Sequence, residues 1–118
     1  MLLIHLLFLT LNMEQTLIII PTFNEAENIE AIITAIFTTN LDINVLVVDD
    51  ESPDGTGSLV LDLMTIYRQK LFLESRSEKS GLGGAYVHGF KWALKRKYDY
   101  IFEMDADFSH NPSELKPM

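Results

Sequence analysis

The sequence contains no cysteine among its 118 residues. Disulfide bonds, thiolate metal sites and cysteine nucleophiles are therefore excluded. An excess of positive charge is also lacking, because the formal net charge is −8. Such a charge argues against binding to the phosphate backbone of a nucleic acid. With 47% hydrophobic and 22% charged residues, the composition is ordinary for one globular domain with a buried core.

Several signatures of common catalytic sites are also missing. Nothing matches the P-loop pattern G-x-x-x-x-G-K-[ST]. The three histidines, His5, His88 and His110, are too scattered for a zinc site. No serine lies in the context of a nucleophile elbow, so a serine hydrolase has little support.

A hydrophobic run long enough to span a membrane is absent as well. The first eleven residues, MLLIHLLFLTL, are nearly all apolar, but a transmembrane helix needs roughly 20 residues. They also lack the features of a signal peptide. They could be a membrane-touching leader, an additional strand or helix, or translated sequence upstream of a true start at Met13, which we favour. We therefore divide the chain into a leader, residues 1–12, and one domain, residues 13–118.

Four apolar runs in this domain predict strands, of which we expect the second and the fourth to be buried. They are residues 17–20, which end at Pro21, residues 45–48, residues 71–73 and residues 100–104. Three amphipathic segments between them predict helices. The first follows Asn24 as N-cap, with Glu27 completing a capping box, and its apolar face is Ile29, Ile32, Ile33, Ile36 and Phe37. The others lie near residues 56–69 and 85–95, and we expect Trp92 on the inner face of the last helix. This alternation predicts an α/β fold with a parallel sheet and right-handed crossovers.

Ligands of parallel sheets bind at the carboxyl ends of the strands. Residues 21–25, 49–54 and 105–107 all follow predicted strands, so we expect them at one rim. Asp105 and Asp107 repel each other unless a cation lies between them. Carboxylate oxygens suit Mg²⁺ or Mn²⁺, which bind through one or two carboxylates plus the phosphates of a substrate. An acidic turn without a ligand is the alternative.

Two other segments near this rim leave alternatives open. One carboxylate of the pair Asp49 and Asp50 could merely cap its loop. The basic and glycine-rich residues 76–84 lead into the third helix, whose N-terminal amides could bind an anion. They do not form a full dinucleotide fingerprint, because Tyr86 stands where its third glycine would be. A tight loop that enters a helix is the simpler interpretation of these glycines.

Four ordered segments carry a family resemblance: IPTFNE (20–25), VVDDESPDGT (47–56), KSGLGGAYVHG (79–89) and MDADFSH (104–110). Together they closely resemble the dolichol-phosphate (polyprenol-phosphate) mannosyltransferases, which are inverting family 2 glycosyltransferases with a GT-A fold. The resemblance extends from about Leu17 to the last residue. It implies an enzyme that moves mannose from GDP-mannose to a dolichyl or polyprenyl phosphate, with Mg²⁺ or Mn²⁺ as cofactor. It also implies a peripheral location at the cytoplasmic face of a membrane.

The resemblance also implies roles for individual residues. The base and ribose pocket would be lined by Pro21, Phe23, Glu25, Val48 and Asp50. Asp105 and Asp107 would be the catalytic, metal-binding pair, Ala106 would lie close to the sugar nucleotide, and Lys79 would help to balance donor charge. Two positions depart from the family, which usually has tyrosine in place of Phe23 and in some members a further glutamine ligand in place of Ser109.

The acceptor-binding part of the resembled family lies beyond the position of Met118. We therefore hypothesise a C-terminally truncated, donor-binding half with little or no turnover alone. Three alternatives remain: a family 2 polyprenyl-phosphate glycosyltransferase that uses UDP-glucose or another donor, a response-regulator receiver domain, and a nonenzymatic nucleotide-binding remnant. The receiver is suggested by LVVDDE, residues 46–51, because a strand that ends in an acidic pair is typical of receivers.

Overall fold

The computed structural model describes residues 15–77 and 81–107, so the leader and residues 108–118 lie outside the described part. Strands and helices alternate along these residues, as predicted. The elements in chain order are β1 (Thr16–Thr22), α1 (Ile29–Thr38), β2 (Ile43–Asp49), α2 (Thr56–Met64), β3 (Leu71–Ser75), α3 (Gly81–Leu94) and β4 (Tyr100–Glu103). Within the described ranges, no helix is long and apolar enough to cross a membrane.

The four strands form one parallel sheet in the order β3-β2-β1-β4. β1 pairs with β2 along its whole length and with β4 over four residues, from Thr16 opposite Tyr100 to Ile19 opposite Glu103. The predicted α/β class with a parallel sheet is therefore confirmed. Strand order reverses at β1, because the chain first adds β2 and β3 on one side and then places β4 on the other.

Both faces of the sheet are covered by helices. α1, α2 and the side chains of Ile18 and Ile20 form one buried cluster. α3 covers the opposite face, where Leu17, Ile19 and the predicted inner residue Trp92 form a second cluster. A strand that is buried on both faces is apolar at every position, which explains the unbroken run LIII in β1.

β1 does not end at Pro21, as the sequence predicted. The Ile19 carbonyl accepts a hydrogen bond from the Met104 N–H on the β4 side (3.0 Å), and the Thr22 carbonyl accepts one from the Asp50 N–H on the β2 side (3.1 Å). Backbone groups alternate along a strand, so the Pro21 nitrogen faces β4, where proline has no N–H to donate. Pairing with β4 therefore ends at Ile19, whereas pairing with β2 continues to Thr22.

The predicted capping box of the first helix is wrong. Asn24 has a left-handed backbone, with φ of 56°, and α1 begins only at Ile29. Its N-cap residue, Asn28, makes no side-chain capping hydrogen bond. Instead, the Glu25 carbonyl accepts hydrogen bonds from the N–H groups of Asn28 and Ile29 (3.0 and 2.9 Å). The apolar face was predicted correctly, since its four isoleucines are buried.

The other two helices differ from prediction at their ends. α2 stops at Met64, five residues early, because the chain turns back and reaches a left-handed residue at Gln69 (φ 63°). Tyr67 in this turn still packs on Phe37, with ring centroids 4.3 Å apart. α3 begins at Gly81, so the glycine segment lies inside its first turn and not in front of it.

β4 was predicted to be a buried strand, and this is also wrong. Tyr100 is 49% exposed and Phe102 is 42% exposed. The physical reason is position, because β4 is the edge strand of the described sheet and has a neighbour on one side only. Met104, directly after it, is buried in the cluster under α1 and α2.

Candidate active site

The carboxyl ends of β1, β2 and β4 meet at one rim of the sheet. Thr22 lies opposite Asp49 in the register of β1 and β2, and the Met104 N–H binds the Ile19 carbonyl just beyond β4. The loops that carry Asp50 and Asp107 therefore leave from the same end of the sheet, as predicted. Ligands of open α/β sheets bind where the strand order reverses, which here is the crevice between β1 and β4.

Asp49 caps its loop and stabilises the rim from inside. It is only 3% exposed, and its carboxylate accepts hydrogen bonds from the Thr22 hydroxyl (2.6 Å), the Ser52 N–H (3.0 Å) and the Ser52 hydroxyl (2.6 Å). A buried carboxylate with three donors is satisfied by the protein itself. Of the two interpretations left open for the pair Asp49 and Asp50, capping applies to Asp49.

Asp54 joins the loop after β2 to the loop after β1. Its Oδ1 accepts hydrogen bonds from the Thr56 N–H (3.0 Å) and hydroxyl (2.5 Å), and its Oδ2 accepts one from the Ala26 N–H (3.0 Å). The hydrogen bond from the Thr56 hydroxyl is the main cause that lowers the pKa of Asp54. The carboxylate therefore stays ionised and keeps its three donors at neutral pH.

Two further hydrogen bonds hold the segment after β1 against the same loop. The Asn24 N–H donates to the Ser52 hydroxyl oxygen (2.8 Å), and the Glu25 N–H donates to the Thr56 hydroxyl oxygen (3.0 Å). The neighbouring ring of Phe23 is 43% exposed at the rim. The S-P-D-G-T segment thus has a structural function, since its side chains hold the backbone of residues 24–26, directly after Phe23.

Asp50 is held by a residue that the sequence analysis did not single out. Arg76 donates from Nε to Oδ1 of Asp50 (2.7 Å) and from Nη2 to Oδ2 (2.9 Å), and both side chains are about nine-tenths buried. Arg76 follows β3, the neighbour of β2, and its N–H donates to the Asp49 carbonyl (2.8 Å). An arginine directly after a strand that neighbours an acidic strand end is the signal that could have identified it.

The acidic turn after β4 contains the predicted metal ligands. Ala106 is buried, Asp105 is half-buried and Asp107 is exposed. The Tyr86 hydroxyl of α3 donates a hydrogen bond to Oδ1 of Asp105 (3.0 Å). Burial, followed by this hydrogen bond and the negative charge of Asp105, raises the pKa of Tyr86 above its ordinary value.

The chemistry of this turn fits a hard divalent cation. In the described part of the chain, no group of three or more histidine, cysteine, aspartate or glutamate side chains could hold a metal ion. Asp105 and Asp107 offer oxygen ligands only. Mg²⁺ in proteins usually binds one or two carboxylates and completes its shell with substrate phosphates and water. Two carboxylates at a rim therefore match a cation that arrives with a diphosphate.

The other predicted site residues lie in different environments. Pro21 is buried within β1, and Val48 is fully buried under α3. Glu25 is half-buried and accepts a hydrogen bond from the Asn28 side-chain amide (3.3 Å). Lys79 and Ser109 lie outside the described residues. The binding roles of all these residues remain predictions.

Comparison with known sequences identifies a family. Residues 17–118 match the family model described as glycosyl transferase family 2. The chain is 46% identical over 102 residues to the polyprenol monophosphomannose synthase of Mycolicibacterium smegmatis, covering 86% of this chain and 38% of that protein. It is 45% identical over 101 residues to the undecaprenyl-phosphate mannosyltransferase of Micrococcus luteus, covering 86% and 41%. The chain thus spans about two fifths of the length of these curated relatives.

Solved structures confirm the GT-A fold. A mannosyltransferase from Pyrobaculum calidifontis, PcManGT, solved in complex with GDP-Man and Mn²⁺, superposes with a TM-score of 0.65 at 28% identity, covering 79% of this chain and 27% of that one. Residues 1–349 of S. aureus TarS, in complex with UDP, superpose with a TM-score of 0.61 at 23% identity, covering the same shares, which supports the fold alone.

These findings contradict the alternative that the chain is a response-regulator receiver domain. In the flavodoxin-like order 2-1-3-4-5 of receivers, the first strand lies between the second and third. The receiver's first strand would be β2, which ends in the acidic pair, but β2 lies between β3 and β1 and is separated from β4. The family match also covers all of the chain from residue 17 onward. The chain belongs to glycosyl transferase family 2.

Proposed function

We propose that this chain is the donor-binding part of an inverting mannosyltransferase that moves mannose from GDP-mannose to a polyprenyl or dolichyl phosphate. Two relatives at 45–46% identity are named for polyprenol or undecaprenyl-phosphate mannosyl transfer. A structural neighbour holds GDP-Man and Mn²⁺. These names belong to longer proteins, so the complete reaction is part of the proposal.

The observation that carries the proposal is the meeting of two different chemistries at the point where strand order reverses. On the β2 side, Arg76 neutralises Asp50, and the Phe23 ring is exposed nearby. On the β4 side lie Asp105 and Asp107, which fit a divalent cation. A nucleotide diphosphate has the matching polarity, with a flat base at one end and charged phosphates at the other.

Asp105 and Asp107 are the residues that would hold Mg²⁺ or Mn²⁺. When bound, such an ion supplies Lewis-acid stabilisation of the negative charge on the departing GDP. Ala106, the small buried residue between them, would lie close to the sugar nucleotide. Phe23 would support the base through its ring face, and Glu25 and Asp50 would line the base and ribose pocket.

The acceptor needs no strong general base. A polyprenyl phosphate is already an anion at neutral pH, so one of its oxygens can attack the anomeric carbon as GDP leaves. Attack from the face opposite the leaving group inverts that carbon and produces a β-linked mannosyl phosphate lipid. Because this acceptor is a membrane lipid, we place the enzyme at the cytoplasmic face of a membrane as a peripheral protein.

The 118-residue chain alone is expected to bind the donor weakly and to turn over little or nothing. It spans about two fifths of the relatives' length, and the basic residues for the acceptor phosphate are expected in the remaining part. Robust mannosyl transfer to a polyprenyl phosphate by the 118-residue chain would contradict this expectation.

Calorimetric titration tests the proposal directly. GDP, GDP-mannose, UDP and UDP-glucose are each titrated into the chain with and without Mn²⁺. We expect the guanine nucleotides to bind more tightly than the uracil nucleotides, and more tightly with Mn²⁺ than without it. Preference for UDP or UDP-glucose would instead favour another donor within the same family.

The metal assignment is tested in the same titrations. Asp107→Asn should remove the Mn²⁺-dependent part of GDP binding and keep the metal-free part, because it removes a metal-binding carboxylate and keeps the size of the side chain. Asp62→Asn on the exposed side of α2 is the matched control and should bind like the parent. If Asp107→Asn binds GDP with Mn²⁺ as tightly as the parent does, the assignment of the metal site to Asp107 is wrong.

A further inference from the structure

Tyr86 connects α3 to the acidic turn after β4. Its hydroxyl lies 3.0 Å from Oδ1 of Asp105, 19 residues further along the chain. In the sequence, Tyr86 interrupts a glycine pattern at the position where a dinucleotide fingerprint would require its third glycine. The glycine segment therefore ends in a large side chain that reaches the rim.

The position of the Tyr86 hydroxyl is determined by the packing of α3. The ring is half-buried at the edge of the α3 cluster, and its neighbour Ala85 is buried. One turn further, Gly89 lies so close to β1 that an added Cβ would be 2.7 Å from Cγ2 of Ile19. This close approach fixes the distance between α3 and the sheet, and with it the point from which Tyr86 donates.

A hydrogen bond of this kind orients a carboxylate. Rotation about the last side-chain bond of a free aspartate changes the direction of both oxygens, whereas a donor at Oδ1 selects one orientation. An ionised carboxylate has about four lone-pair sites, and the phenol uses one of them without cancelling the negative charge. Outer partners of metal-binding carboxylates typically change metal affinity by about 10- to 100-fold.

We infer that Tyr86 is a positioning residue, which turns the Asp105 carboxylate toward a divalent cation at the rim. The inference rests on the proposed function, because it needs Asp105 to bind the metal. Tyr86 acts through Asp105 and does not itself touch the nucleotide. Gly89 then serves the metal end of the site by allowing α3 and its tyrosine to lie close to the sheet.

Removal of the single hydroxyl tests this inference. Tyr86→Phe keeps the ring and its packing, and the 118-residue chain is titrated with Mn²⁺ at saturating GDP while free Mn²⁺ is followed by electron paramagnetic resonance. We expect the Kd for Mn²⁺ to rise by about 10- to 100-fold. Binding of GDP without metal and the melting temperature should remain those of the parent.

Tyr98→Phe is the matched control. It removes a hydroxyl that accepts a hydrogen bond from Asn44 (2.9 Å) at the opposite end of the sheet, so Mn²⁺ affinity should not change. If Tyr86→Phe binds Mn²⁺ as the parent does while Asp105→Asn does not, the inference is overturned and the proposed function stands. Equal losses of GDP affinity with and without Mn²⁺ would also overturn it, because Tyr86 would then contribute only to packing. Failure of the parent itself to bind Mn²⁺ with GDP would overturn both.

Discussion

Arg76 and Asp50 form a bidentate ion pair at the rim, with Nε to Oδ1 at 2.7 Å and Nη2 to Oδ2 at 2.9 Å. The pair joins the ends of β3 and β2, and both side chains are about nine-tenths buried. It neutralises one carboxylate of an acidic edge while Asp105 and Asp107 remain on the other side of the crevice. The pair therefore compensates the negative charge of Asp50 at the end of β2.

Breaking this pair from the arginine side should be costly. Arg76→Met leaves the Asp50 carboxylate buried without its partner, and loss of one member of a buried pair costs on the order of 3 kcal/mol. We expect a decrease of that size in the free energy of unfolding, measured by urea denaturation. The double variant Arg76→Met/Asp50→Asn should recover part of it, because no unpaired charge remains.

Lys70→Met is the control for the Arg76 variant. Lys70 pairs with Asp42 at 3.3 Å, but both side chains are largely exposed, and exposed pairs contribute less than about 1 kcal/mol. A loss for Arg76→Met as small as that for Lys70→Met would show that the buried pair does not stabilise the rim.

The Phe23 ring should contribute to nucleotide affinity through its face. Stacking of a base on an aromatic side chain is worth about 1–3 kcal/mol, so Phe23→Ala should raise the Kd for GDP roughly 5- to 150-fold. Phe23→Tyr, which keeps the ring, should bind at least as tightly as the parent. Ile66→Ala, another exposed apolar residue but far from the rim, should leave the Kd unchanged in calorimetry. If Phe23→Ala binds GDP as tightly as the parent, Phe23 does not contribute to the base pocket.

Two glycines of α3 should respond in opposite directions to the same substitution. A Cβ at Gly89 would lie 2.7 Å from Cγ2 and 3.0 Å from Cδ1 of the fully buried Ile19, so Gly89→Ala should destabilise the fold by about 1–3 kcal/mol. A Cβ at Gly83 would meet nothing within 4 Å. Gly83→Ala should therefore stabilise the helix by up to about 1 kcal/mol. Thermal unfolding of both variants checks this, and a parent-like melting temperature for Gly89→Ala would mean that α3 lies farther from β1.

The order of elements and the composition of the rim could be predicted from the sequence because their signals are local. Isoleucines at helical spacing define the buried face of α1, and unbroken apolar runs define β1 and β2. A parallel sheet then brings the carboxyl ends of its strands to one edge. That rule placed Asp50 and Asp107 at the same end without any coordinates.

Errors in the predicted ends have equally physical causes. Pro21 was expected to end β1, but the missing N–H matters only on the side that faces β4. β4 was expected to be buried, but an apolar run does not show which strand lies at the edge. The capping box failed because Asn24 is held by Ser52 from another loop (2.8 Å) and not by the helix that follows it.

By itself, the sequence determined the alternating elements, the shared rim and the acidic turn of Asp105 and Asp107. The tertiary structure alone decided the partner of each carboxylate. Thr22 reaches Asp49 across 27 positions, Arg76 reaches Asp50 across 26 and Tyr86 reaches Asp105 across 19. Those pairs depend on strand order and on how closely α3 packs on β1, which are properties of the folded chain that no local pattern contains.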